Sequence, residues 1–227
     1  MNNLADKIKK TIITIDEIPD ISYNGEYQII DDKTIKYIEK CVRNSMEYRS
    51  YITQLHDYLD LDSCTFYEGY SLKNGLSIEI HHSPFTLYEY TETICRKHLE
   101  ESKDNTYNPL LVAEEVVKIH YEFLVGLVPL NPTAHELVHS GNLDIHPDLV
   151  IGEWKLFIEE YNKYLSDHMK DKIRELLDFE KENDSTKFPK ILNPKPINIL
   201  IPYEQVTPKL IESHLYEKIK NIGAKNA

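Results

Sequence analysis

The sequence predicts an α+β protein, with a small strand–strand–helix unit embedded in a mostly helical body. Apolar residues recur every three or four positions along most of the 227 residues, which is typical of amphipathic helices. Short stretches at 64–70, 76–82 and 126–130 carry β-branched and aromatic residues instead. With 41% hydrophobic and 28% charged residues, the composition is that of an ordinary globular protein.

The first predicted element is a long helix from about Asp31 to Asp60. Asp31 and Asp32 stand at its start, where carboxylates interact well with a helix N-terminus. Its apolar stripe consists of Ile35, Ile38, Val42, Met46, Ile52, Leu55 and Leu59. We interpret this stripe as core packing.

A β-hairpin is predicted next. CTFYEGY (64–70) and LSIEIHH (76–82) flank the turn-forming segment SLKNG. The second strand ends in the pair His81 and His82, and Pro84 stops it because proline cannot donate to a sheet.

Two helical patterns occupy 86–125, and the second begins at Asn108-Pro109, since proline is favoured in a first turn. Gly126 is expected to end that helix. Three histidines outside the motifs below, His56, His120 and His146, could join a site, but they are expected at the surface or as helix caps.

GLVPL (126–130) is predicted to be a short extended run that leads into a short helix. Asn131-Pro132 begins this helix, and Gly141 ends it just beyond His139.

The remainder is predicted to be helical from about 148 to 184, in two pieces, and then proline-rich. INILI forms a short strand within 187–208, and Thr207-Pro208 caps a last helix. The segment 186–206 is the best candidate for a linker or partner-binding segment. Four units result: an N-terminal helical segment (1–62), a strand–strand–helix core (63–146) with a helical insertion (86–125), a helical segment (147–185) and a C-terminal part (186–227).

The net charge of −12 weighs against a protein that binds nucleic acid tightly by itself. The chain has no apolar run near the ~20 residues needed to cross a bilayer and no secretory signal, so no membrane partner is expected. Its three cysteines are far apart and form no CxxC pair. They are expected to be reduced thiols of a cytoplasmic protein, in the host cytoplasm if a phage encodes it.

The string HELVH (135–139) permits two interpretations. In zinc peptidases, HExxH places two histidines on one face of a helix and uses the glutamate as general base. Pro132 and Gly141 confine this helix to little more than two turns, and a third ligand is not at the usual spacing. Alternatively, His135 and His139 are metal ligands of a nuclease, and Glu136 has no chemical role.

Taken with IEIHH (78–82), the second interpretation resembles the HNH, or ββα-metal, endonucleases, and within them the colicin-type DNases. The resemblance covers about 76–84 and 126–142. It implies that His81, His135 and His139 bind one divalent cation and that His82 is the general base for hydrolysis of DNA phosphodiester bonds. Three imidazoles leave the metal open among Zn²⁺, Ni²⁺, Mn²⁺ and Mg²⁺.

One position departs from the family pattern. Gly126 stands nine residues before His135, where the family has an asparagine that ties the loop to the backbone near the general base. Asn131 and Asn74 are candidate replacements.

The sequence therefore predicts a metal-dependent DNA endonuclease, with DNA as its substrate and a partner protein that brings this acidic chain to DNA. The composition is compatible with a phage protein. Two alternatives stay open. One is a catalytically impaired interaction or scaffold protein on an HNH-type fold, and the other is an HExxH zinc metallopeptidase.

Overall fold

The computed structural model describes residues 28–182 and has an α+β fold, as the sequence predicts. Within this range the helices accompany a two-stranded antiparallel sheet. The elements are α1 (Asp32–Asn44), α2 (Met46–Leu59), β1 (Glu79–His82), α3 (Leu87–Glu101), α4 (Pro109–Tyr121), β2 (Leu127–Leu130), α5 (Pro132–His139), α6 (Trp154–Tyr161) and α7 (Asp167–Glu182). Among the described residues, no helix has the length and apolar character to cross a membrane.

The predicted long helix over 31–60 is wrong in one respect, because the chain breaks at Ser45. Ser45 has extended backbone angles, and its hydroxyl accepts a hydrogen bond from the Tyr48 amide at 3.1 Å. It therefore ends α1 and caps the start of α2. The predicted start is confirmed, since the Asp31 carboxylate accepts from the Thr34 amide at 2.7 Å.

The main hydrophobic core joins the N-terminal helices to the helices of 86–125. α1 packs against both α3 and α4, and α2 packs against α4. Tyr51, Tyr90, Ile94 and Phe157 are fully buried in this core. The two helices between β1 and β2 are therefore central to the body.

The predicted hairpin is wrong. Residues 64–70 form no strand, and the chain between them and β1 makes a 3₁₀ turn at Leu72–Asn74. β1 instead pairs antiparallel with β2, with His81 opposite Val128 and His82 opposite Leu127. β2 is entirely buried and apolar, and its pairing with β1 places this apolar segment in the core.

The prediction that Gly126 ends a helix is also wrong, because α4 ends at Tyr121. Phe123 adopts a left-handed φ of 61°, which turns the chain away from the helix direction. Gly126 then lies directly before β2.

The short helix after Asn131-Pro132 is confirmed as α5, and the two helical pieces after residue 148 are confirmed as α6 and α7. α5 contacts both strands of the sheet. A second, smaller core of Cys64, Ile78, Val128, Leu130 and Ala134 lies at this junction. The predicted linker at 186–206, the INILI strand and the final helix lie outside the described residues, as does most of the segment before α1.

Candidate metal centre

Three histidines predicted to bind metal meet between β1 and α5. The ring centroids of His81 and His135 are 5.0 Å apart, those of His81 and His139 5.1 Å, and those of His135 and His139 4.5 Å. One nitrogen from each ring can be chosen so that all three lie within 4.8 Å of one another. Three imidazoles this close form a donor set suited to one divalent transition metal.

The start of α5 sets the position of two of these ligands. The Asn131 side chain accepts a hydrogen bond from the Ala134 amide at 2.7 Å, and Pro132 occupies the first turn. His135 and His139 then lie one turn apart on the same face, with their Nε2 atoms 3.1 Å apart. Two nitrogens on a tetrahedral zinc at about 2.0–2.1 Å lie roughly 3.3 Å apart, so little movement is needed.

The local environment keeps the imidazoles of His81 and His135 neutral at neutral pH. Burial, followed by the charges of His135 and His139, lowers the pKa of His81 from its usual value to about 4. Burial is also the main cause of the lowered pKa of His135, and it outweighs the opposing effect of Glu79. A neutral imidazole has the free lone pair that a metal requires.

Glu79 contacts the side of His135 that faces away from His139. Its Oε2 lies 2.5 Å from Nδ1 of His135. Since a carboxylate only accepts, Nδ1 carries the proton, and the lone pair of the neutral ring is on Nε2. By contrast Glu136, the glutamate of the HExxH string, is exposed on α5.

His82, the predicted general base, is not brought to this cluster. Successive residues of a strand point to opposite faces, and His82 faces the helical body. It is only 7% exposed, and its Nε2 lies 2.9 Å from Nε2 of His120. Burial, followed by the charge of His120, lowers its pKa well below the usual value for histidine.

The expectation that His120 is a surface or capping residue is wrong. His120 is completely buried on α4 and its Nδ1 donates to the Val116 carbonyl at 2.6 Å. Its Nε2 must then accept, and His82 Nε2 donates. The signal in the sequence is the place of His120 beside the apolar positions Val116 and Ile119 of its helix. His146 does cap, since its ring accepts from the Asp148 amide at 3.2 Å.

Gly126 supports the end of β1 through its backbone. Its amide donates to the Tyr90 hydroxyl at 2.9 Å, and its carbonyl accepts from the Ser83 amide at 3.0 Å. A Cβ at this position would lie 1.9 Å from the Ser83 carbonyl oxygen. The asparagine of the family pattern therefore has no room here, and its anchoring role is not transferred to Asn131, which caps α5.

A family model described as "Bacteriophage G278-like virion protein" matches residues 1–220. Neither a curated protein nor a solved structure matches the chain.

Proposed function

This chain belongs to the Bacteriophage G278-like virion protein family, and from that premise we propose that it is a virion component that binds one divalent cation through His81, His135 and His139. The single observation that carries this proposal is the convergence of three imidazoles from β1 and α5, with one nitrogen of each ring within 4.8 Å of the others. Imidazole ligands favour Zn²⁺ or Ni²⁺ over Mg²⁺, which prefers oxygen.

Such a cation would fasten α5 to the sheet. α5 has eight residues, and Ala134 is its one fully buried residue. A helix this short gains little stability from its own hydrogen bonds. A ligand that binds only the folded chain stabilises it by about 2.7 kcal/mol at a concentration 100 times Kd, so cation binding is a large contribution to this part of the fold.

The acidic character of the chain favours protein partners within the particle. At a net charge of −12, the chain repels the phosphates of free DNA. We therefore place it in an interaction or scaffold role.

A metal-dependent DNA endonuclease is the second candidate. The order β1, β2, α5 is the strand–strand–helix arrangement that the HNH resemblance implies. Three protein ligands also leave coordination positions for water and a phosphate oxygen. His82 weighs against this candidate, because a general base must reach the water that it deprotonates, and His82 is buried on the opposite face of β1.

Metal binding is tested by titrating the metal-free full chain with Zn²⁺, Ni²⁺, Mn²⁺ and Mg²⁺. We expect one equivalent of Zn²⁺ or Ni²⁺ to bind and to raise the Tm, and His135→Ala to abolish both effects. His168→Ala is the matched control, since the His168 side chain is 77% exposed and lies outside the cluster. A folded wild-type chain that binds none of the four cations refutes the proposal.

A plasmid-relaxation assay with the same cations separates the two candidates. Wild type is compared with His82→Ala and Glu136→Ala. A chain that binds metal and leaves DNA intact supports the scaffold role. Cleavage that disappears in His82→Ala and persists in Glu136→Ala would establish the endonuclease instead.

A further inference from the structure

We infer that Glu79 is a positioning residue of the metal site, which holds His135 through Nδ1 so that Nε2 is presented to the cation. The inference rests on the proposed function, because it assigns a role within the same site. Glu79 would then be the fourth side chain of the site, beside the three ligands and without binding the cation itself.

The geometry gives the two nitrogens of His135 opposite roles. Nδ1 lies 2.5 Å from the Glu79 carboxylate, while Nε2 lies 3.1 Å from Nε2 of His139. A hydrogen bond from one ring nitrogen to a carboxylate fixes the tautomer and the ring orientation, and it makes the other nitrogen a stronger donor to a metal. Glu79 therefore acts from the far side of the ring and is not itself a ligand.

The strand explains how this carboxylate reaches α5. Glu79 and His81 are two residues apart on β1, so both side chains project from the same face of the sheet. Glu79 pairs with Leu130, the residue directly before the cap of α5. The same strand thus provides one ligand and the group that orients a second.

Exposure does not remove this effect. The Glu79 side chain is 46% exposed, and an ion pair at such a site contributes little to the stability of the fold. Its expected effect is on metal affinity, because the imidazole becomes more positive when a cation binds and the carboxylate then interacts with it more strongly.

The test compares Zn²⁺ affinity in the full-length wild type, Glu79→Gln and Glu136→Gln, measured by competition with a chromogenic chelator. Loss of a carboxylate that orients a ligand lowers metal affinity by about 10–100-fold, and we expect that loss in Glu79→Gln. Glu136→Gln removes a neighbouring charge of the same helix–strand unit, so we expect its affinity to stay close to that of wild type. Equal losses in the two variants would assign the effect to general electrostatics and overturn the inference.

A second measurement does not depend on any variant folding. Nitrogen–proton correlation spectra of the histidine rings in the Zn²⁺-loaded wild type report which nitrogen is protonated. We expect His135 to carry its proton on Nδ1 and to bind through Nε2. Binding through Nδ1 overturns the inference and leaves the metal site itself standing, whereas a folded wild-type chain that binds none of the four cations overturns both.

Discussion

Introducing a side chain at Gly126 tests the close packing between the end of β1 and the start of β2. A Cβ there lies 1.9 Å from the Ser83 carbonyl oxygen and 2.7 Å from Cγ1 of Val150. Both distances are much shorter than a van der Waals contact, and the nearer atom, the Ser83 oxygen, belongs to the backbone and cannot easily move away. Gly126→Ala, and Gly126→Asn even more, must therefore push the ends of the two strands apart.

The expected cost follows from the contacts that this separation breaks. The hydrogen bonds of Gly126 to Tyr90 and Ser83 contribute about 1 kcal/mol each, and overpacking typically costs about 1–3 kcal/mol more. We expect Gly126→Ala to lower the free energy of unfolding by roughly 3–5 kcal/mol, against a total of about 5–15 kcal/mol for a typical domain. The change is large enough to unfold a fraction of the chain at ambient temperature.

Urea unfolding followed by far-UV circular dichroism measures this cost. Gly75→Ala is the matched control. Gly75 has a φ of +75° and no atom within 4 Å of an added Cβ, so only backbone strain of about 1 kcal/mol is expected there. A loss at Gly126 no larger than that at Gly75, with an unchanged m-value, refutes the reasoning. A Gly126→Asn variant as stable as wild type would show that asparagine, the residue of the HNH pattern, fits at this position despite the observed packing.

Three further predictions concern pH, the HExxH glutamate and a helix cap. Acidification from pH 7 to about pH 5 should destabilise the metal-free chain. Histidines in the unfolded chain take up protons below about pH 6.5. In the folded chain, burial holds the pKa of His120 near 4 and the pKa of His82 well below its usual value. The stability provided by these neutral rings is complete above pH 6.5 and is lost as the pH falls, so a Tm that rises on acidification contradicts this prediction. Glu136→Ala should change the Zn²⁺ affinity by no more than about twofold, because Glu136 is exposed. A twofold change is well below the roughly 10-fold loss expected when a group that supports a ligand is removed. A zinc peptidase would instead cleave casein, and this substitution would abolish the cleavage. Ser45→Ala should cost about 1 kcal/mol of unfolding free energy through the lost cap of α2, measured by urea denaturation beside the exposed control Ser140→Ala, and equal losses in the two variants would contradict it.

Local signals in the sequence were sufficient to place the histidines of the proposed site on their strand and helix, and the HNH resemblance supplied their assignment as ligands. Asn131-Pro132 and Gly141 bound α5, and the spacing of His135 and His139 places both on one face, which depends only on the helical period. The end of β1 at His81 and His82 was equally local, because the following Ser83-Pro84 stops the strand. The structure brings His81, His135 and His139 together as predicted.

The pairing of β1 could not be predicted in the same way. A hairpin through SLKNG satisfies local turn chemistry, but the partner of β1 lies beyond α3 and α4, and only tertiary burial of LVPL selects it. The orientation of His82 follows from that choice, since the strand face that packs on α4 is set by the register. Likewise, the contact of Glu79 with His135 joins distant parts of the chain, which no spacing rule reveals.

The position of β1 and β2 on either side of α3 and α4 also determines when the site comes into existence. During synthesis His81 leaves the ribosome before either helix, and His135 and His139 follow only after both. The three histidines meet only when the helical pair has folded back and β2 has docked beside β1. A shortened chain that ends before α5 retains His81 as the single imidazole of the proposed site, and one imidazole holds a cation weakly. Binding of a cation at the proposed site therefore requires that the intervening chain has been made and has folded.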